Sequence, residues 1–167
     1  MQCVYCSVTK NCFDSLANSA DEIYDYFENI GKHIEKDEYL VLDKTWDLVY
    51  YILTGESIFE LDEGGGFPFV FGNNILGVFD ADGGKIGPIR YISEEGVLSC
   101  IQLFDTINRE EFINRFDFED ILSHNVYFDK MLDPEGLMER SIESLEALNR
   151  FFKKALTKNN VLLVYFD

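Results

Sequence analysis

The chain has 167 residues, 47% of them apolar and 15% aromatic, with 31 acidic and 14 basic side chains for a net charge of −17. That length fits one domain, and that apolar content fills a core without disulfide or metal support and excludes general disorder despite the charge. The acidic balance argues against nucleic-acid binding by phosphate neutralisation, and no run of about 18 apolar residues occurs that would span a membrane.

Residues 2–9 read as a strand, β-branched and aromatic with no helical stripe. A short helix is expected over 11–18. Ser19 is placed to cap the next one, with Glu22 as capping-box partner; Ile23, Tyr26, Phe27 and Ile30 form its apolar stripe and Gly31 its stop. After the apolar run 39–42, Asp43 is the expected N-cap of a helix whose stripe is Trp46, Val49, Tyr50 and Leu53 and whose C-terminal glycine is Gly55. Residues 56–88 are the least regular stretch, rich in glycine from Gly64 to Gly87, and a loop of that length is commonly functional or mobile.

Residues 89–92 resume as a strand. Ser93 opens a helix with the stripe Val97, Leu98, Ile101, Phe104 (or Leu103) and Ile107, and Asn108 and Asp117 mark two further helix starts. Asp133 and Pro134 then start the longest helix, with Leu137, Ser141, Leu145, Leu148, Phe152 and Ala155 on one face. Its acids lie in the first half and its bases in the second, complementing the helix dipole. Asn159 and Asn160 end it, and the unbroken apolar run 161–166 reads as a strand buried on both faces. The expected architecture is α/β (α+β): a single domain over 1–167, with a mixed β-sheet that holds the N- and C-terminal strands and packs against several helices.

Chemistry-bearing motifs are sparse. Cys3 and Cys6 have redox or zinc spacing, but on a strand two residues three apart face opposite ways, so they read as buried thiols. Zinc would need Cys12 and a further ligand such as His33 or Cys100, which no spacing selects. The run from Asp80 to Gly84 fails as a calcium loop at Gly84 and again at Tyr91, which stands in place of the bidentate glutamate. The glycines form no phosphate cradle. Ser123 and His124 are adjacent in sequence, yet a nucleophile–base pair is a matter of spatial geometry. No catalytic set, metal or cofactor is assigned.

Residues 42–55 run Leu-Asp-Lys-Thr-Trp-Asp-Leu-Val-Tyr-Tyr-Ile-Leu-Thr-Gly. This segment resembles the pattern L-D-K-x-W-x-x-L-H-x-L-L-T-G of the YfbM-like family, bacterial domains of unknown function (family 1877). Residues 87–93, Gly-Pro-Ile-Arg-Tyr-Ile-Ser, resemble the family's segment before its central helix, and the order of elements matches across nearly the whole chain. Tyr50 stands where the family usually has histidine. The resemblance implies an α/β single-domain fold in a bacterial cytoplasmic setting and no established activity.

Two functions compete. One is a non-enzymatic acidic binding module whose partner is a basic protein, for instance an immunity-type protein that blocks a basic toxin, with neither nucleic acid nor membrane as partner. The alternative is a small-molecule-binding protein or enzyme with a pocket near Trp46 and Tyr50, roofed by the glycine-rich 64–87 stretch. The candidate ligand-binding residues are Asp43, Lys44, Trp46, Tyr50, Thr54 and Gly55. Four cysteines without a disulfide pattern and an N-terminus without a basic start and apolar core fit the cytoplasm.

Overall fold

The computed structural model describes residues 1–30, 35, 38–61, 66–78 and 88–167. Five strands form one sheet in the order β2-β1-β5-β4-β3: β1 Cys3–Val8, β2 Tyr39–Leu42, β3 Asn74–Val78, β4 Pro88–Ile92 and β5 Val161–Phe166. The helices are α1 Lys10–Asn18, α2 Ala20–Glu28, α3 Trp46–Thr54, α4 Pro68–Phe71, α5 Glu94–Asp105, α6 Arg109–Arg115, α7 Phe118–Ser123 and α8 Pro134–Lys158. The fold is thus a single α+β domain with both terminal strands in its sheet.

β5 is the central strand and lies beside β1, as its apolar run predicts; Leu162 and Leu163 are both fully buried. The alternation of a strand divides its side chains between two cores. Leu162 and Val164 face the larger one, with Cys3, Tyr5, Trp46, Phe104 and Phe152. Leu163 and Tyr165 face a smaller one, with Val4, Cys6 and the inner residues Leu16, Ile23 and Phe27 of α1 and α2. Cys3 and Cys6 therefore do point to opposite faces, and burial raises both thiols far above their ordinary range. One expectation is corrected: the sheet is not mixed, since all four pairings are antiparallel. The apolar run of β5 reports cover on both faces, which helices give an antiparallel sheet just as well.

The caps mostly follow the sequence. Ser19, Ser93, Asn108, Asp117 and Asp133 each accept a backbone N–H of the first turn that follows. Ser19 makes only half of a capping box, because the Glu22 carboxylate bonds the Ser15 hydroxyl instead. Asp43 is not the cap of α3. The chain turns at 43–45, Thr45 takes the N-cap position, and its hydroxyl bonds Ser144 of α8 at 2.7 Å instead of capping. Every residue of α3 from Trp46 to Leu53 is buried, so packing rather than capping holds it. The Gly31 stop lies outside the described residues.

Gly55 ends α3 at φ 80, in the left-handed region, and its N–H bonds the Tyr51 carbonyl at 2.7 Å. A Cβ there would meet nothing within 4 Å, so only backbone strain opposes a side chain. Gly55→Ala is expected to destabilise by about 1 kcal/mol. Thermal or urea unfolding checks this, and an unchanged midpoint would contradict it.

Candidate functional site

α3 runs through the core and both its ends reach the surface. Its nine residues rise about 12 Å from first to last, so the sequence-predicted site divides in two. Asp43 and Lys44 lie at the N-terminal end, where Lys44 pairs with Asp129 at 3.7 Å and lines a groove of about 450 Å³ with Phe59 and residues 125–131. Trp46 is 1% exposed and belongs to the core, its ring against Phe59, Tyr127 and Phe166. Tyr50 and Thr54 line a cleft of about 640 Å³ at the C-terminal end. Gly55 is the exposed cap beside it.

This cleft is built from three segments. Tyr50, Leu53, Thr54 and Glu56 supply one side. The Thr54 hydroxyl donates to the Tyr50 carbonyl at 2.8 Å and accepts the Glu56 N–H at 3.2 Å, which fixes the turn out of the helix. Residues 66–68 close over Tyr50: its ring packs on Phe69, and its oxygen accepts the Phe67 N–H at 3.2 Å. Gly66, at φ 95, comes so near that a Cβ would stand 2.2 Å from the Tyr50 hydroxyl oxygen, so only glycine fits. The far wall is Asn73 with the N-terminal turn of α5. Asn73 Oδ1 accepts both the N–H and the hydroxyl of Ser93, at 2.9 and 3.2 Å, and Ser93 Oγ accepts the Gly96 N–H at 3.1 Å.

The electrostatics are one-sided. Glu56 and Glu95 are exposed on the lining, which among the described residues contains no lysine or arginine. Burial lifts the Tyr50 phenol above its ordinary range, against the opposing pull of the Phe67 N–H. The hydroxyl therefore keeps its proton at neutral pH.

The expectation of one glycine-rich lid over 64–87 is corrected for its described part. Residues 66–68 form a wall of the cleft, 68–71 are α4, and 74–78 are β3, paired with β4 in the sheet. Residues 64–65 and 79–87, including Asp80 to Gly84, lie outside the described residues. β3 escaped the sequence reading because Gly77 interrupts a short edge strand at a bulge.

Two further features were missed. Asp47 is fully buried, accepting the N–H groups of Ile58 at 3.1 Å and Tyr127 at 2.7 Å; a lone acid inside an otherwise apolar helix was the signal. Tyr51 donates to the Asp120 carboxylate and lies 3.0 Å from His124 Nδ1. Ser123 Oγ is also 3.2 Å from that nitrogen, but its proton goes to the Asp120 carbonyl at 2.7 Å. His124 Nδ1 approaches the same carbonyl at 2.9 Å. A carbonyl only accepts, so both groups donate to it and the imidazole does not take the serine proton. His33 lies outside the described residues. Among the described residues no group of His, Cys, Asp and Glu could hold a metal, and no helix is long and apolar enough to cross a membrane.

An antiparallel sheet between two unequal helical layers, with an acid-lined cleft at one helix end, defines a single-domain α+β protein. The family model of the domain of unknown function DUF1877 matches residues 1–165, and the chain belongs to that family. It is similar in structure to YfbM from Escherichia coli, a protein of unknown function, with a TM-score of 0.70, 19% identity and 99% of each chain covered. At that identity the likeness shows the fold. Comparison with curated proteins finds no match.

Proposed function

We propose that this domain is a non-enzymatic binding module that receives a basic protein partner, with a cationic group of that partner seated in the cleft beside Tyr50. The observation that carries the reading is the lining of the 640 Å³ cleft, which among the described residues holds two carboxylates and no basic side chain, on a chain of net charge −17. A concave site of one sign concentrates the field and speeds encounter with the opposite sign. An immunity-type partnership, in which the domain blocks a basic toxin, is one form this takes. The alternative occupant is a small cationic molecule in the same cleft.

The test separates the cleft from the general acidity. Poly-L-lysine is titrated by calorimetry into wild type, into Glu56→Gln/Glu95→Gln, and into a control, Glu110→Gln/Glu119→Gln, whose sites are exposed on α6 and α7. The cleft pair is expected to lose about tenfold in affinity and the control about twofold or less, with wild-type affinity falling as salt rises. Equal losses from the two pairs would mean that the charge serves solubility alone. Duplex DNA and anionic vesicles are expected not to bind at physiological salt.

A further inference from the structure

We infer that residues 124–133 form a strap over the N-terminal end of α3 that opens locally while the sheet stays folded, and that the ionisation of Asp47 sets how often it opens. The strap joins α7 to α8 and contains neither helix nor strand. It lies at the opposite end of α3 from the Tyr50 cleft and lines the separate groove of about 450 Å³ with Lys44 and Phe59.

Two adjacent residues of α3 make this cover costly to keep shut. The Trp46 indole is 1% exposed, and among the described residues its Nε1–H has no acceptor. Its ring packs against Phe59 of the turn at 57–60 and against Tyr127 of the strap. Asp47 is fully buried and gives one carboxylate oxygen to each of the same two segments, Oδ1 to the Ile58 N–H at 3.1 Å and Oδ2 to the Tyr127 N–H at 2.7 Å. A buried donor without an acceptor and a buried carboxylate are both relieved when water enters. The ties that oppose opening are short-range. Val126 and Phe128 anchor the strap in the larger core. The Asn125 carbonyl accepts the Ser57 hydroxyl at 2.9 Å, and the Asn125 N–H reaches the Glu60 carboxylate at 3.3 Å.

The charged group that acts on Asp47 among the described residues is itself acidic, Glu60 on the turn. On the strap, Asp129 pairs with Lys44 at 3.7 Å and Lys130 is exposed, while the N-terminal ammonium donates to the Tyr127 hydroxyl at 3.3 Å. Burial raises Asp47 to about 6, against the pull of the Tyr127 and Ile58 N–H groups and the Ser57 hydroxyl. A hydrated aspartate titrates near 3.9, so the closed strap holds a proton that the open one releases. The advantage of the closed form is full below about pH 4 and is lost as pH rises through about 6, which makes opening on the order of a hundredfold more frequent. His124, the first residue of the strap, acts in the same direction at higher pH: its bond to the Asp120 carbonyl raises it, and the Asp120 and Glu60 carboxylates add to that. Acid therefore covers the faces of Trp46, Phe59 and Tyr127, and neutral pH frees them.

Hydrogen exchange of the full chain, followed by NMR between about pH 4 and pH 7, tests this. Trp46 is the only tryptophan, so its indole N–H gives a single signal. The Ile58 and Tyr127 amides are the other two reporters, because Asp47 is their acceptor. After division by the intrinsic exchange rates, opening at all three is expected to rise about a hundredfold across that range. At every pH it should stay at least about tenfold more frequent than at the β5 amides of Leu162 and Val164. Asp47→Asn is expected to remove the rise, and His124→Gln to leave it, with its midpoint near 6. Reporters that exchange no faster than the β5 amides would mean that only global unfolding exposes them, and would overturn the inference. Opening that is independent of pH in wild type overturns it too, as does a rise that survives Asp47→Asn or disappears in His124→Gln. Should Asp47→Asn not fold, wild type and His124→Gln decide by the same criteria.

Discussion

At about pH 5, replacing Asp47 by alanine is expected to lower stability by about 3 kcal/mol, because the backbone N–H groups of Ile58 and Tyr127 lose their acceptor inside the protein. These bonds fasten two loops, at 57–60 and 125–129, to a helix buried along its length. The carboxylate is held at a disadvantage. Burial raises Asp47 to about 6, against the pull of the two N–H groups, whereas an unfolded aspartate titrates near 3.9. Between those values the folded state binds more protons than the unfolded one. The contribution is full below about pH 4 and is lost as pH rises through about 6, on the order of 3 kcal/mol in all. Asp47→Asn keeps one acceptor oxygen and cannot ionise. It is expected to be less stable than wild type at pH 4, with the gap closing or reversing by pH 7. Urea unfolding of both proteins across that range checks it, and a gap independent of pH would contradict it.

Gly72→Ala is expected to cost about 3 kcal/mol. Gly72 follows α4 at φ 64 and ψ 176, a region essentially reserved for glycine. A Cβ there would stand 2.9 Å from both the Tyr91 carbonyl oxygen and Arg90 Cβ, and 3.2 Å from Val164 Cγ1. Backbone strain and overpacking each contribute about 1–3 kcal/mol. The displacement would pass to Asn73, whose N–H bonds Tyr91 and whose side chain holds Ser93. Loss of stability should therefore come with loss of poly-L-lysine affinity. A variant with a wild-type unfolding midpoint would contradict the assignment.

The parts of the fold that the sequence revealed are those set by local chemistry. Asp133 with Pro134 at one end and Asn159 at the other bound α8, and Asn159 takes the left-handed conformation that ends it, at φ 57. Gly55 was readable for the same reason. What failed depended on tertiary partners. Asp43 looked like a cap, but α8 draws the Thr45 hydroxyl and the turn at 43–45 shifts the helix start. Strand direction was invisible because the apolar run of β5 reports cover, not polarity. Within the candidate site, Tyr50 and Thr54 came from the motif. Glu56, Gly66, Asn73 and Glu95 reach the cleft from loops and from another helix, and no periodicity in the sequence relates them. Grouping Asp43 with Gly55 as one site overlooked the length of the helix between them.

The most direct measurement is residue-resolved: amide chemical shifts of the labelled protein during titration with poly-L-lysine at physiological salt. The proposed function predicts that the shifts concentrate on residues 50–56, 66–67, 73 and 93–96, which surround the cleft. Shifts spread evenly over the exposed acids of α2, α6 and α7, with the cleft amides unmoved, would contradict it.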